Sequence, residues 1–182
     1  MIIQPIVTAY PCSMPPLIQC FPPVVNQSAT VLILGSMPGM ASLAANQYYA
    51  HPRNAFWPIM GNLLQFAPET AYVQRLQILQ NAGIALWDVL QSCERSGSLD
   101  TSIVASTRFV NDFAGFLRDY SSIRYIFFNG GRAYTMLRRY SSNSCLPPHL
   151  CFTRLPSTSP AHARMTFAQK LTAWQVVLDV VS

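Results

Sequence analysis

A chain of 182 residues is long enough to bury one substantial core and too short for two comfortable domains. Hydrophobic residues make up 51% of it and charged residues only 10%, which excludes a wholly disordered chain. Twelve Lys and Arg against seven Asp and Glu leave a formal charge of +5, a balance that suits a polyanionic partner without requiring one.

Residues 1–27 are apolar but broken by Pro5, Pro11, Pro15 and Pro16, with no basic stretch ahead of them. Neither a signal peptide nor a membrane span is expected. The segment reads as a Pro-rich extension that lies on the domain or is partly disordered, ahead of a single domain over 28–182. The five cysteines, Cys12, Cys20, Cys93, Cys145 and Cys151, are odd in number and form no C-x2-C pair. They read as reduced thiols of an intracellular protein, and no metal, iron–sulfur cluster or other cofactor is expected.

The run Val31-Leu32-Ile33-Leu34, ended by Gly35 and Pro38, predicts a buried parallel strand. After a polar loop, Phe56 to Leu64 reads as a helix that tolerates Pro58 in its first turn. A second helix is predicted within 68–83, with Pro68 and Glu69 at its start, Tyr72, Leu76 and Leu79 on one face, and Gly83 as its stop. Ile84 to Leu86 is a second strand, and 92–107 a polar connection. Asn111 can cap a helix through Phe113, Phe116 and Leu117. Tyr125 to Phe128 is a third strand halted by Asn129-Gly130-Gly131, Ala133 to Tyr140 a helix with Arg138 and Arg139, and Leu150 to Thr153 a fourth strand. Met165 to Val180 closes the chain as a long helix. Strands alternating with helices predict an α/β fold, a three-layer α/β/α sandwich on a parallel sheet.

Ligands of such sheets bind beyond the carboxyl ends of the strands, which directs attention to 35–39, 129–131 and 155–160. In the first, GSMPG, the glycines let backbone N–H groups approach a ligand, although an ordinary turn has the same look. The run QYYAHPRNAFW, Gln47 to Trp57, concentrates aromatic, basic and amide groups in a predicted loop. Tyr48, Tyr49, Phe56 and Trp57 can stack on a base, His51 and Arg53 can meet phosphate, and Asn54 can hold a water or a base edge. Equally, Trp57 can be core and Asn54 a helix cap. Asn129 can read a base edge with two hydrogen bonds, or simply favour a turn. In LPSTSPAHAR, Ser157, Thr158 and Ser159 can grip phosphate, with His162 and Arg164 adding positive potential, or the segment is a plain Pro-Ser turn.

The ordered pattern VLILGSMPG, QYYAHPRNAFWPIMG, GIALWDVLQSCERSGSLD, IFFNGGRAY and LPSTSPAHA resembles the hypoxanthine (deoxyinosine)-DNA glycosylase family of the uracil-DNA glycosylase superfamily. The likeness runs from about Phe21 to the C-terminus and is most specific in YYAHPRNAFW and LPSTSPAHA. It implies a central four-stranded parallel sheet, a catalytic Asn54, an Asn129 that contacts the flipped base, and a DNA-facing motif over 155–161. Two departures stand out: Ser36 and Met37 occupy the turn where many relatives carry a catalytic Asp or Asn, and Leu155 stands where some carry His.

On that footing, the expected partner is double-stranded DNA with a deaminated base, and the protein acts as a monomer. The base is flipped out, stacks on Phe56, and is read by Asn129 and by backbone amides around Gly35, Ser36 and Met37. Asn54 positions water against an oxocarbenium-like sugar. The sole lysine, Lys170, sits in the last helix, so hydrolysis without strand cleavage is expected. The alternatives are a mismatch-type uracil glycosylase, a catalytically inactive DNA-binding module, and an α/β enzyme of free nucleotides, the last disfavoured by the lack of a phosphate-binding Gly-rich loop.

Overall fold

The computed structural model of the chain describes residues 15–140 and 146–181. Its strands are β1 (Leu17–Gln19), β2 (Val31–Gly35), β3 (Ile84–Asp88), β4 (Leu90–Glu94), β5 (Phe109–Val110), β6 (Tyr125–Asn129) and β7 (Cys151–Leu155). Its helices are α1 (Met40–Ala45), α2 (Phe56–Leu64), α3 (Tyr72–Asn81), α4 (Phe113–Asp119), α5 (Gly131–Tyr140) and α6 (Phe167–Trp174).

The four apolar runs form one all-parallel sheet in the order β3-β2-β6-β7. Every residue of β2 and β3 is buried, as strands covered on both faces must be. Alternate residues feed two separate cores. Leu32, Leu34, Ile126 and Phe128 pack with Phe113, Phe116 and Leu117 of α4 and Met136 and Leu137 of α5. Val31, Ile33 and Phe127 pack on the opposite face with Phe56, Ile59 and Met60 of α2, Leu79 of α3 and Trp174 of α6. The expected three layers result. Because β2 is flanked by β3 on one side and β6 on the other, the connections diverge there, and a crevice opens where Gly35 and Asn129 end adjacent strands.

Several expectations change. Within 15–27, β1 pairs antiparallel with β4, Val24 bridges Leu86, and Ile18 is buried, so this part of the expected extension is built into the fold. Residues 1–14 lie outside the described residues. The expected polar connection holds part of a second sheet, β1-β4-β5. Asp112 rather than Asn111 caps α4, accepting from the Gly115 N–H at 2.9 Å. Asn111 is buried and donates to the Asp88 carbonyl oxygen at 2.8 Å, which leaves it unable to cap. The helix expected from Pro68 starts at Tyr72, and the closing helix tightens into a 3-10 helix over Gln175–Val180. Among the described residues, no helix is long and apolar enough to cross a membrane.

Candidate active site

Thr158 joins three segments that are far apart in sequence. Its N–H donates to Oδ1 of Asn129 at 2.8 Å, its Oγ accepts from Nδ2 of Asn129 at 2.8 Å, and its carbonyl accepts from the Ala55 N–H at 3.0 Å. The 51–55 loop, the end of β6 and the 155–160 loop are thereby locked together at the carboxyl edge of the sheet. Gly130, at φ +100°, lets the last two approach: a Cβ there would stand 3.0 Å from that of Ser157. Thr158 is 1% exposed, so the phosphate contact expected of it is not available to its side chain. Asn129 likewise gives one N–H and one lone pair to Thr158, leaving only its second N–H and second lone pair for a base.

The 51–55 turn closes on His51, whose carbonyl accepts from the Asn54 N–H at 2.8 Å and whose Nδ1 accepts from the Arg53 N–H at 3.1 Å. This bond leaves the ring proton of neutral His51 on Nε2. Oδ1 of Asn54 accepts from the Phe56 N–H at 3.0 Å, just ahead of α2, which fixes the plane of the amide. Its Nδ2 donates to none of the described residues.

Phe56, expected as the stacking platform, is fully buried. Tyr49 covers it, with ring centroids 3.9 Å apart and planes 24° from parallel, and Trp174 meets it edge-on. Tyr48 and Trp57 are core as well, the Trp57 Nε1–H donating to the Tyr48 carbonyl at 2.8 Å. Tyr49 remains half-buried, and it holds φ +56°, a conformation bulky residues rarely adopt. The aromatic at the surface of the stack is therefore Tyr49. Together with His51, Asn54, Trp57, Phe66 and Arg75 it lines a cavity of about 600 Å³ on the α2 and α3 side of the loop.

Around the first turn, the structure assembles groups that no local motif reveals. Gly35 pairs in register with Asp88, and a Cβ at 35 would collide with Oδ1 of that carboxylate. Ser36 donates its hydroxyl to Oδ2 of Asp100 at 2.6 Å. Buried Arg95 donates to the carbonyls of Pro38 and Gly97, holding the turn from beneath. Met37 is buried in the core, so it has only its backbone to offer a ligand. Burial pushes the Asp88 carboxyl up to about 7, Asp100 adds to the effect and Arg95 opposes it. The Tyr49 hydroxyl is raised by burial and then by Asp88, with Asn129 opposing.

Arg53 and Arg164 are exposed and His51 and His162 half-exposed, while Ser157 and Ser159 are half-buried. The two serine hydroxyls accept from the N–H groups of Ser159 and Ala161, each at 3.2 Å, which shapes the loop itself. Sequence reasoning names Tyr49 among four aromatics able to stack but prefers Phe56, and it gives no role to Asp88, Arg95 and Asp100. The last three lie in GIALWDVLQSCERSGSLD, a segment that carries the family resemblance without a role being assigned to it.

Fold and site define an α/β/α protein whose sheet edge presents an aromatic face, a fixed amide and a hydroxyl-rich loop. The sequence profile of the Uracil DNA glycosylase superfamily matches residues 22–178, and the chain belongs to that superfamily. It is 37% identical over 117 residues to a protein named Hypoxanthine DNA glycosylase from Methanosarcina barkeri, covering 63% of this chain and 72% of that one. A protein of the same name from Methanosarcina acetivorans is 37% identical over 114 residues, 62% and 71% of the two chains. A solution structure of a candidate uracil DNA glycosylase from M. acetivorans superposes with a TM-score of 0.73 at 31% identity, covering 91% of this chain and 98% of that one.

Proposed function

We propose that the protein is a monofunctional DNA glycosylase that hydrolyses the N-glycosidic bond of hypoxanthine in double-stranded DNA. Asn54 carries the reading: its amide plane is fixed by Phe56, its loop is tied to Thr158, and it lines one cavity with the half-buried Tyr49. Relatives named for hypoxanthine excision support the choice of base.

The target base leaves the helix stack, at least cost where it is mispaired, and lies against Tyr49. Asn54 positions water at the sugar carbon; an amide is too weak a base to deprotonate it beforehand, so its work is orientation. Backbone N–H groups of 35–39 and the spare N–H of Asn129 face the edge of the departing base. His51, Arg53, His162 and Arg164, with the backbone of 155–161, meet phosphates. The one lysine, Lys170, is buried on α6, and no amine stands on the 51–55 loop to form a Schiff base. The protein works as a monomer, in whichever compartment holds the chromosome.

End-labelled duplexes carrying one hypoxanthine, uracil or xanthine test this. Strand breaks that appear only after hot alkali, fastest for hypoxanthine, are the expected result. Breaks before alkali, or a DNA adduct trapped by borohydride, would overturn the monofunctional mechanism. Uracil excision is the second reading, favoured by the 31% identical solution structure, and uracil as the best substrate would establish it.

A further inference from the structure

Three buried polar atoms cluster at the turn after β2 without hydrogen-bond partners: Oδ2 of Asp88, the Tyr49 hydroxyl and Nη1 of Arg95. Each costs stability, and three in one place mark groups kept for something other than holding the fold together. Asp88 ends β3 directly across from Gly35, and a Cβ at 35 would strike its Oδ1 while standing 3.2 Å from the Tyr49 hydroxyl. Glycine at 35 thus lets a buried carboxyl and a buried phenol flank one α-carbon where β2 and β3 end, with Asp88 Oδ1 against that α-carbon. The ring of Tyr49 has Phe56 on one side and is half-buried, with its hydroxyl fully buried. The hydroxyl end of that ring is directed at Gly35 and, across it, at the Asp88 carboxyl.

We infer that Asp88 is a second catalytic residue, whose carboxyl meets the edge of the base stacked on Tyr49 and protonates it as the glycosidic bond breaks. The inference rests on the glycosylase reading and adds the proton donor that Asn54, an amide, and the Ser36-Met37 turn do not provide. The bond between C1′ and the base nitrogen breaks with its electron pair on the base, and the Asp88 proton goes to that base. Water gives its hydroxyl to C1′ and its remaining proton to solvent, from which Asp88 is reprotonated. A neutral carboxyl also offers one donor and one acceptor, the complement of the O6 and N1–H edge of hypoxanthine.

The environment favours the neutral form. Burial is the main cause that raises Asp88 to about 7, Asp100 raises it further, and Arg95 lowers it. The other titratable groups that sense Asp88 are Tyr48 and Tyr49 from the loop before His51 and Cys20 from the segment after β1. Since the protonated form acts, the rate of excision falls as pH rises through about 7.

The test is single-turnover excision of hypoxanthine from duplex DNA across pH, by wild type, Asp88→Asn and Asp100→Asn. Wild type should lose rate about tenfold per pH unit on the alkaline side. Asp88→Asn should be slower by about 10²-fold near neutrality and lack that alkaline limb. Asp100→Asn removes a neighbouring negative charge, so its limb should move to lower pH; this arm remains informative if Asp88→Asn does not fold. A limb that persists in Asp88→Asn, or that stays in place in Asp100→Asn, overturns the role of Asp88 and leaves the glycosylase reading standing. A folded wild type that excises no deaminated base at any pH overturns both.

Discussion

Thr158 shows how much of the site hangs on one buried side chain. Thr158→Val keeps the shape and both backbone bonds but leaves an Asn129 N–H without its acceptor. The expected cost is about 1–3 kcal/mol of stability, read as a lower thermal midpoint. Excision should slow as well, because the Asn129 amide, held by one bond instead of two, loses its fixed orientation. Asn54→Ala differs in kind. Only the Phe56 N–H bond is lost structurally, so stability should fall by about 1 kcal/mol while single-turnover excision falls by about 10²-fold or more and DNA affinity holds. Equal losses in rate and affinity would reassign Asn54 to binding. Asp88 adds a stability signature with a definite sign. Its folded value near 7 lies above its ordinary 3.8, so the native state holds the proton longer and loses relative stability as pH rises from about 4 to 7. Asp88→Asn should therefore raise the thermal midpoint at pH 8 relative to wild type, with the gap closing toward pH 4. A gap independent of pH would mean that Asp88 does not titrate in that range.

At the scale of elements, the sheet was legible because β2, β3 and β6 are buried on both faces and so read as apolar runs between glycines and asparagines. The small sheet was not. Strand β4, Leu-Gln-Ser-Cys-Glu, buries only Leu90 and Cys93, and β5 is two residues long with Phe109 exposed, so neither leaves a periodic trace. Caps were half legible: Asn111 and Asp112 are both good cap residues, and only the burial of Asn111 against Asp88 decides between them. Asp112→Ala should accordingly destabilise by about 1 kcal/mol in urea titration, without changing excision. The site follows the same division. Convergence of 35–39, 129–131 and 155–160 was readable from strand ends, because it is a property of topology, whereas the 51–55 loop joins them through the bond between Ala55 and Thr158. That Tyr49 lies outside Phe56, and that Asp88 and Asp100 serve the turn at Gly35 and Ser36, are contacts between segments, which no local pattern encodes.

The net charge of +5 acts at the scale of the whole molecule, and its distribution decides whether it bears on DNA. Arg53 and Arg164 are exposed on loops at the carboxyl edge, the edge that holds Asn54 and Tyr49. Arg118 is also exposed but sits in the last turn of α4, which leads into β6 and so lies toward the amino ends of the strands. It is paired with Asp119 at 3.8 Å. A duplex docked at the carboxyl edge meets the first two and not the third. Each phosphate contact releases condensed counterions, so Arg53→Ala and Arg164→Ala should each make the dependence of log affinity on log salt shallower by about one unit. Arg118→Ala should leave it unchanged. At saturating enzyme the excision rate should be nearly the same in all three, since phosphate contacts fix the duplex without touching the glycosidic bond. Fluorescence anisotropy over a range of salt reads the slopes directly. Equal slopes for all three variants would mean that the charge attracts DNA from the molecule as a whole, and that the carboxyl edge is not where the duplex docks.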